Sequence, residues 1–255
     1  MAERTGASAV PARDQDAPGA VEAIVLAAGS GERLGLGPKA LLTLGGRTLL
    51  ERAISVMLSV ARRVIVGVPE DCVERIGAAC AGNVLILAGG KTRMETTLRL
   101  FHASTAPLIV QHDVVHPFVT AELTRRVVAA ARRTGAAMTA EKAGAHVYRG
   151  GAEVAERIAT TGGLWLAQKP LAFSRAALAR ALELGPPLPD GAGAPDLLLA
   201  AGQPIEIVPG EPWNIKLTTP GDWALAQAIH PLLVDGSLGE RLRPSRVEDE
   251  GEDAP

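Results

Sequence analysis

The stretch EAIVLAAGSGERLGLGPK, residues 22–39, joins a short run of aliphatic residues to a loop rich in glycine. The run at 22–28 contains one polar residue and is short for a helix, which is typical of a β-strand buried on both faces. Four glycines lie between positions 29 and 37. Backbone N–H groups in a glycine loop that leaves a buried strand can cradle phosphate oxygens. The stretch therefore predicts a strand followed by a phosphate-binding loop.

The spacing of this loop excludes two common phosphate-binding motifs. A dinucleotide-binding loop needs G-x-G-x-x-G, but Leu34 stands where the third glycine belongs. A P-loop needs G-x-x-x-x-G-K-[ST], and neither that spacing nor its Gly-Lys pair is present. Two cations remain in the loop, Arg33 and Lys39, which are suited to hold phosphate oxygens. The alternative is a glycine turn that carries two solvated cations.

Outward from this loop, aliphatic runs and amphipathic segments alternate along the chain. This order predicts a doubly wound α/β fold with a mostly parallel, Rossmann-like sheet. The loops at 28–39, 89–96 and 112–117 should then converge at the carboxyl ends of the strands, where such sheets bind ligands. The predicted strands are 22–28, 63–68, 84–88, 107–112 and 205–208, and the predicted helices are 48–60, 70–81, 92–103, 120–134, 174–184 and one from Pro220. Residues 135–170 read as short extended pieces, and 185–195 as a loop.

Composition narrows the function classes. The chain has 255 residues, 47% of them hydrophobic, with 26 basic and 28 acidic side chains and a net charge of −2. No global positive field attracts nucleic acid or an anionic membrane, so neither is an expected partner. Two cysteines exclude a disulfide framework and a four-thiolate zinc site. No segment reads as a membrane span or a signal peptide, so we expect a cytoplasmic protein.

The ends differ from the middle of the chain. Residues 1–20 mix Ala, Gly, Pro and charges without periodicity, and residues 234–255 end in a run of acidic side chains that repel one another. We predict disordered tails at both ends. The folded unit should therefore span residues 21–233.

Five segments together resemble one known family, the 2-C-methyl-D-erythritol 4-phosphate cytidylyltransferases and their polyol-phosphate relatives. The family motifs are A-A-G-x-G-x-R-x-G with P-K-Q, G-G-x-x-R-x-x-S, H-D-A-A-R-P, L-W-x-A-Q-T-P and N-I-K-x-T. The matching segments are AAGSGERLG with PKA (27–40), GGKTRMET (89–96), HDVVHP (112–117), LWLAQKP (164–170) and NIKLT (214–218). Their order and spread cover nearly the whole folded unit.

The resemblance implies a reaction and a set of residues. A phosphate oxygen of a small acceptor would attack the α-phosphorus of CTP and expel pyrophosphate, a step of isoprenoid biosynthesis. The acceptor would be 2-C-methyl-D-erythritol 4-phosphate or another polyol phosphate or phosphonate. By the same resemblance, Arg33 and Lys39 hold the triphosphate and Lys216 stabilises the reacting phosphorus. The implied nucleotide-binding residues are Ala27, Ala28, Gly29, Ser30, Gly31, Gly89, Gly90, Arg93, Thr96 and Asp113.

The resemblance also implies a cofactor and an assembly. Asp113 would bind Mg²⁺, a cation that prefers carboxylate and phosphate oxygens; the simpler interpretation is a residue that caps a turn. The fold would be that of the nucleotide-diphospho-sugar transferases. An extended arm at 138–163 would form a homodimer.

The acceptor half departs from the family pattern. His116 replaces the motif arginine and is a weaker phosphate partner. The stretch 144–147 lacks the family's D-T-x-K, residues 160–162 lack its arginine, and 191–194 lack its T-D-E. Three hypotheses stay open: a cytidylyltransferase with this or another acceptor, a non-catalytic nucleotide-binding or scaffold protein, and a transferase that uses another nucleotide. Replacement phosphate ligands could come from four cations that are each more simply solvated charges: Lys91, Lys142, Arg149 and Lys169.

Overall fold

A computed structural model of the chain describes residues 21–29, 31, 35–80, 82–150, 155–157 and 163–234. Both predicted tails lie outside these residues, apart from residue 234, which ends the last helix. The main sheet has seven strands: β1 (Val21–Leu26), β4 (Arg63–Val68), β5 (Val84–Ala88), β6 (Leu108–Asp113), β7 (Ala136–Lys142), β10 (Trp165–Ser174) and β11 (Glu206–Pro209). Two small hairpins pair β2 (Thr43–Leu44) with β3 (Arg47–Thr48) and β8 (Tyr148–Gly150) with β9 (Ala155–Arg157).

Seven α-helices cover the sheet in the part of the chain that the structure describes. They are α1 (Leu49–Leu58), α2 (Val73–Ala79), α3 (Arg93–Ala103), α4 (Ala121–Thr134), α5 (Arg175–Leu184), α6 (Ala194–Ala200) and α7 (Pro220–Val234). Side-chain caps set several of their starts, since Thr48, Thr92, Thr120 and Ser174 each accept a hydrogen bond from the third residue of the helix that follows. These bounds confirm the predicted order of strands and helices, and over most of the chain they agree with the predicted bounds to within one or two residues.

The strand order explains where a ligand can bind. The sheet runs β11-β7-β10-β6-β1-β4-β5. The chain moves from β1 outward to β4 and β5, then crosses to β6 on the other side of β1, and these four strands are parallel. A crevice opens where the winding direction reverses, at the carboxyl ends of β1 and β6. There Leu26 and Asp113 are register partners, and Val114 N donates to Leu26 O at 3.1 Å.

The core lies on both faces of the sheet, as the prediction of a doubly wound fold requires. In β1, Ala23 and Val25 pack in one apolar cluster and Ile24 packs in the other. The first cluster includes side chains of α1 and α4, and the second includes side chains of α3, α5 and α6. The predicted strand at 22–28 is thus buried on both sides, although it ends at Leu26.

One prediction for the second half was wrong. The segment Ala136–Lys142, which we predicted as extended but placed mostly in an arm outside the sheet, is a strand of the main sheet paired with both β10 and β11. Alanine has little strand propensity, so pairing on both sides decides its conformation. The strand β10 runs antiparallel to β6 and β7. Of the expected arm, the structure describes the end of β7, residues 143–147, the β8–β9 hairpin and Gly163.

The predicted loop at 185–195 is shorter than expected. It ends at Gly193, whose N–H donates to Asp196 Oδ2 at 2.8 Å and so caps α6. Leu197 and Leu198 anchor this helix in the core. The two cysteines are free; Cys72 lies in a 3-10 turn before α2 and half-buried Cys80 follows its end, so they do not share one helix.

Candidate functional site

The crevice beyond β1 and β6 holds a cavity of about 240 Å³, here called the first cavity. Apart from Leu26 of β1, its lining comes from the predicted loops at 28–39, 89–96 and 112–117, which meet at the carboxyl ends of the strands as expected. The lining residues are Leu26, Ala28, Gly29, Lys39, Gly90, Lys91, Thr92, Arg93, Thr96, Asp113, Val114 and Val115.

The glycine loop forms one wall of the first cavity. Gly31 has φ +78°, and a Cβ there would lie 2.0 Å from Gly37 O, so only glycine allows this fold-back of the loop. Ala27 does not line the cavity; its N–H donates to Gly67 O at 2.8 Å and ties the loop to β4. Ser30 and Arg33 lie outside the described residues, so their predicted roles stay predictions.

The segment before α3 forms the opposite wall. Gly90 N donates to Thr96 Oγ1 at 2.9 Å, so the threonine hydroxyl orders the turn. Gly89 stands behind the lining, where a Cβ would lie 2.4 Å from Ala28 Cβ. The two walls therefore approach each other so closely that this position admits no larger residue without movement.

Lys39 and Lys216 approach the site from distant parts of the chain. Lys39 Nζ donates to Leu217 O at 2.8 Å, and Leu217 N donates to Val115 O at 2.8 Å. The segment 214–218 is therefore held between the glycine loop and the loop after β6. Lys39 lines the first cavity, whereas Lys216 lines a neighbouring one.

This second cavity has a volume of about 330 Å³ and shares Arg93 and Asp113 with the first. The two cavities therefore meet at one ion pair. The other lining residues are His116, Met138, Ala167, Gln168, Lys169, Leu171, Gly191, Gly193, Pro195, Asp196, Leu199 and Lys216.

Asp113 is the buried acid at this junction. Its Oδ2 pairs with Arg93, and its Oδ1 lies 3.9 Å from Lys169 Nζ. Burial alone would raise the pKa of Asp113, but Lys169 and Arg93 outweigh burial and lower it below its usual value. The carboxylate is therefore ionised, and it makes ion pairs rather than only capping a turn.

One carboxylate oxygen of Asp113 is suited to bind a magnesium ion. Its Oδ1 is buried and accepts no hydrogen bond from the residues that the structure describes. Within the same residues, no three His, Cys, Asp or Glu side chains cluster to hold a metal by themselves. Mg²⁺ bound with a nucleotide takes most ligands from phosphate and water and needs only one or two carboxylates. A single oxygen of Asp113 meets that requirement.

The two histidines beside Asp113 are buried and uncharged. Burial lowers the pKa of His112 to about 3 and that of His116 to about 4, although Asp113 raises both. Neutral His116 donates through Nδ1 to Asn214 O at 3.2 Å. His116 lines the second cavity as predicted, but it brings no positive charge there.

The interpretation of Lys169 as a solvated charge was wrong. Its side chain is 6% exposed and lines the second cavity. Burial lowers the pKa of Lys169 to about 8, while Asp113 acts in the opposite direction. A lysine in an extended segment is normally exposed, so the sequence offered one signal only, its position in the LWLAQKP motif.

Most predicted nucleotide-binding residues come together. Ala28, Gly29, Lys39, Gly90, Arg93, Thr96 and Asp113 line the first cavity, while Ala27, Gly31 and Gly89 stand behind it. Lys91, which we named as a possible ligand of the acceptor phosphate, lines this first cavity instead, and the prediction missed Thr92. Thr92 caps α3 by accepting from Glu95 N, a pattern that the sequence T-R-M-E already contains.

Comparison with known proteins points to one family. The family model described as IspD, 2-C-methyl-D-erythritol 4-phosphate cytidylyltransferase, matches residues 21–231. A protein of that name from Thermus thermophilus is 36% identical over 213 residues, covering 82% of this chain and 96% of the relative. One from Deinococcus radiodurans is 35% identical over 211 residues, covering 81% and 88%. The crystal structure of the Thermus thermophilus enzyme superposes with a TM-score of 0.67 at 31% identity, covering 82% of this chain and 98% of that one.

Proposed function

This chain belongs to the 2-C-methyl-D-erythritol 4-phosphate cytidylyltransferase family, and from that premise we propose how its two cavities carry out cytidylyl transfer. The enzyme transfers the cytidylyl group of CTP to 2-C-methyl-D-erythritol 4-phosphate and releases pyrophosphate, a step of isoprenoid biosynthesis. The observation that carries the proposal is the junction of the two cavities at Arg93 and Asp113. One cavity takes CTP, the other takes the acceptor, and the reacting phosphates meet between them.

The reaction exchanges one bond for another at the α-phosphorus of CTP. A bond forms from an oxygen of the acceptor phosphate to the α-phosphorus, and the bond from that phosphorus to pyrophosphate breaks. The electron pair leaves on pyrophosphate. Such a step needs in-line positioning and positive charge where negative charge accumulates, rather than a covalent intermediate with the protein.

The lysines supply that charge. Lys39 in the first cavity holds the triphosphate, together with Arg33 of the same loop. Lys216 lines the second cavity and stabilises the crowded phosphorus as the bond exchange proceeds. A charge raises the rate of the chemical step when it interacts more strongly with the transition state than with the bound substrate.

Three further assignments belong to the proposal. Backbone groups of the glycine loop and of 89–90 bind the cytidine, because Ala28, Gly29 and Gly90, whose side chains are small or absent, line the first cavity. Asp113 contributes an oxygen to a magnesium ion, which when bound neutralises charge on the triphosphate. Arg93 pairs with Oδ2 of Asp113, whereas Oδ1 accepts no hydrogen bond from the described residues and would make that contact.

The proposal also includes a homodimer that works in the cytoplasm. Apolar side chains are exposed close to the second cavity, since Leu199 lines it and Trp165 and Leu166 precede Ala167 in β10. An interface with a second copy of the chain would bury such exposed apolar side chains. Within the part of the chain that the structure describes, no helix has the length and apolar character of a membrane span. Sedimentation of the full chain at micromolar concentration should give twice the monomer mass.

The test is pyrophosphate release by the full chain with 2-C-methyl-D-erythritol 4-phosphate, Mg²⁺ and each of CTP, UTP, GTP and ATP. We expect turnover with CTP and at most a few per cent of that rate with the others. Turnover with another nucleotide in preference to CTP would replace the base assignment. CTP binding in a calorimeter without turnover would favour a non-catalytic relative and overturn the proposed reaction.

A further inference from the structure

Lys169 is a buried cation that pairs only loosely with an acid. Its backbone carbonyl accepts from Asn214 Nδ2 at 2.7 Å, which holds the residue at the wall of the second cavity. Among the described residues, its Nζ has one close ionic neighbour, Asp113 Oδ1 at 3.9 Å, which is beyond hydrogen-bond distance. A buried charge without a hydrogen-bonded partner is costly unless a ligand supplies one.

The charges around the second cavity leave room for an anion. Arg93, Lys169 and Lys216 bring three positive charges, whereas Asp113 and Asp196 bring two negative ones. Asp113 is already paired with Arg93, and Asp196 accepts from Gly193 N at the start of α6. Neither lysine is therefore neutralised by a hydrogen-bonded carboxylate in this part of the structure, and a net positive charge faces the cavity.

The position of Lys169 also complements that of neutral His116. Both residues touch Asn214, since His116 Nδ1 donates to its carbonyl and its side-chain amide donates to Lys169 O. The ring at 116 carries no charge near neutral pH, so the ammonium at 169 is the buried cation on this side of Asn214. Position 116 therefore lacks the positive charge of the motif arginine, and Lys169, which contacts the same Asn214, carries a positive charge instead.

We propose that Lys169 binds the phosphate of the acceptor, together with Lys216, at the end of the second cavity that adjoins the Arg93–Asp113 pair. This assignment rests on the proposed function, because it takes the second cavity as the acceptor site. The ammonium donates to phosphate oxygens that lie next to the α-phosphorus of CTP. Lys169 is therefore a determinant of acceptor binding that compensates for the uncharged ring of His116.

The test compares three variants of the full chain in steady-state kinetics. Lys169→Met keeps the aliphatic stem and removes the charge, Lys169→Arg keeps the charge, and Arg126→Met removes one exposed cation that lines neither cavity. We expect Lys169→Met to raise the acceptor KM by about 10–100-fold, the range of a charged hydrogen bond, with the CTP KM within about twofold. Lys169→Arg should regain at least half of that loss, and Arg126→Met should match the wild type.

The outcomes separate a binding role from a structural one. A purely structural Lys169 would alter both KM values together and lower the thermal midpoint, and that result would overturn the assignment. An unchanged acceptor KM in Lys169→Met would overturn it as well. A folded Lys169→Met with a split between the two KM values supports it.

Failure of the proposed function gives a different pattern. If the wild type releases no pyrophosphate with any nucleotide, the reaction is wrong, and Lys169 is then tested by titrating 2-C-methyl-D-erythritol 4-phosphate and inorganic phosphate into each variant by calorimetry. Binding to the wild type and Lys169→Arg but not to Lys169→Met keeps the anion site. Equal affinity for all three, or none, removes it.

Discussion

The two cavities of this protein differ in which parts of their residues carry the expected contacts with substrate. Two glycine-containing turns contribute to the first, here called the backbone wall: Ala28 and Gly29 on one side, and Gly90 with the hydroxyl of Thr96 on the other. Buried polar side chains contribute to the second, here called the side-chain wall: Lys169 and His116. A backbone wall depends on glycines at fixed positions, and a sequence motif shows those positions. A side-chain wall depends on which side chains are buried, and a sequence motif does not show burial.

The largest effect should come from removing the charge of Lys216 from the second cavity. Lys216→Ala should lower kcat by about 10²–10³-fold, as loss of one transition-state donor typically does. Lys216 is exposed and its segment is held by Leu217 and Asn214, so the thermal midpoint should stay within a few degrees. Pyrophosphate release at saturating substrates measures this. A kcat within threefold of the wild type would contradict the role of Lys216.

A substitution in the backbone wall should affect CTP alone. In Gly89→Ala the new methyl would lie 2.4 Å from Ala28 Cβ, and neither atom can turn aside because each is fixed to the backbone. Overpacking of this kind costs about 1–3 kcal/mol of stability, and it is relieved when Ala28 and residue 89 move apart and displace the wall that holds CTP. A loss of about 1.4 kcal/mol in binding raises the CTP KM about tenfold, while the acceptor KM should stay within about twofold. Gly77→Ala in α2, where a Cβ meets nothing within 4 Å, is the matched control. Equal rises in both KM values would show that the two cavities are not independent.

The two buried histidines, His112 and His116, should make the free energy of unfolding depend on pH. Burial lowers the pKa of His112 to about 3 and of His116 to about 4, against an ordinary 6.5, so the unfolded state binds protons that the folded state does not. The part of the free energy of unfolding that depends on the uncharged rings is then fully present above pH 6.5. It is lost as the pH falls toward 4, by up to about 1.4 kcal/mol per pH unit for each ring. Urea unfolding at pH 7.5 and 5.0 measures this loss.

The matched variant for that measurement is His116→Gln, which keeps a donor for Asn214 O and removes the titration. It should lose less stability than the wild type between the two pH values. The same pH dependence in both proteins would mean that His116 is accessible to protons in the folded state.

The smallest effect should come from a single hydroxyl in the backbone wall. Thr96→Val leaves Gly90 N without its 2.9 Å acceptor, a loss of about 1 kcal/mol. The CTP KM should therefore rise about fivefold, whereas Thr96→Ser keeps the hydroxyl and should stay within twofold. If valine and serine behave alike in steady-state kinetics, the hydroxyl does not order this wall.

Prediction from the sequence succeeded where local pattern was sufficient. The strand β1, the amphipathic helix α4 and the convergence of the three loops follow from apolar periodicity and glycine spacing, and the family resemblance is confirmed by the match over residues 21–231. It failed to place Ala136–Lys142 in the main sheet, where this alanine-rich segment pairs with a strand on each side. It failed again at α6, whose cap and buried leucines lie beyond a Gly- and Pro-rich stretch that hides them.

The amino-acid order alone determined the alternation of strands and helices, the edge of the sheet at which a ligand binds, and the family. Each of these rests on residues that are near one another in the chain. Only tertiary structure decided that Lys169 is buried beside Asp113 and that His116 is uncharged. Burial and charge depend on which distant strands and loops come together, and the free energy of an ionised group changes with those neighbours.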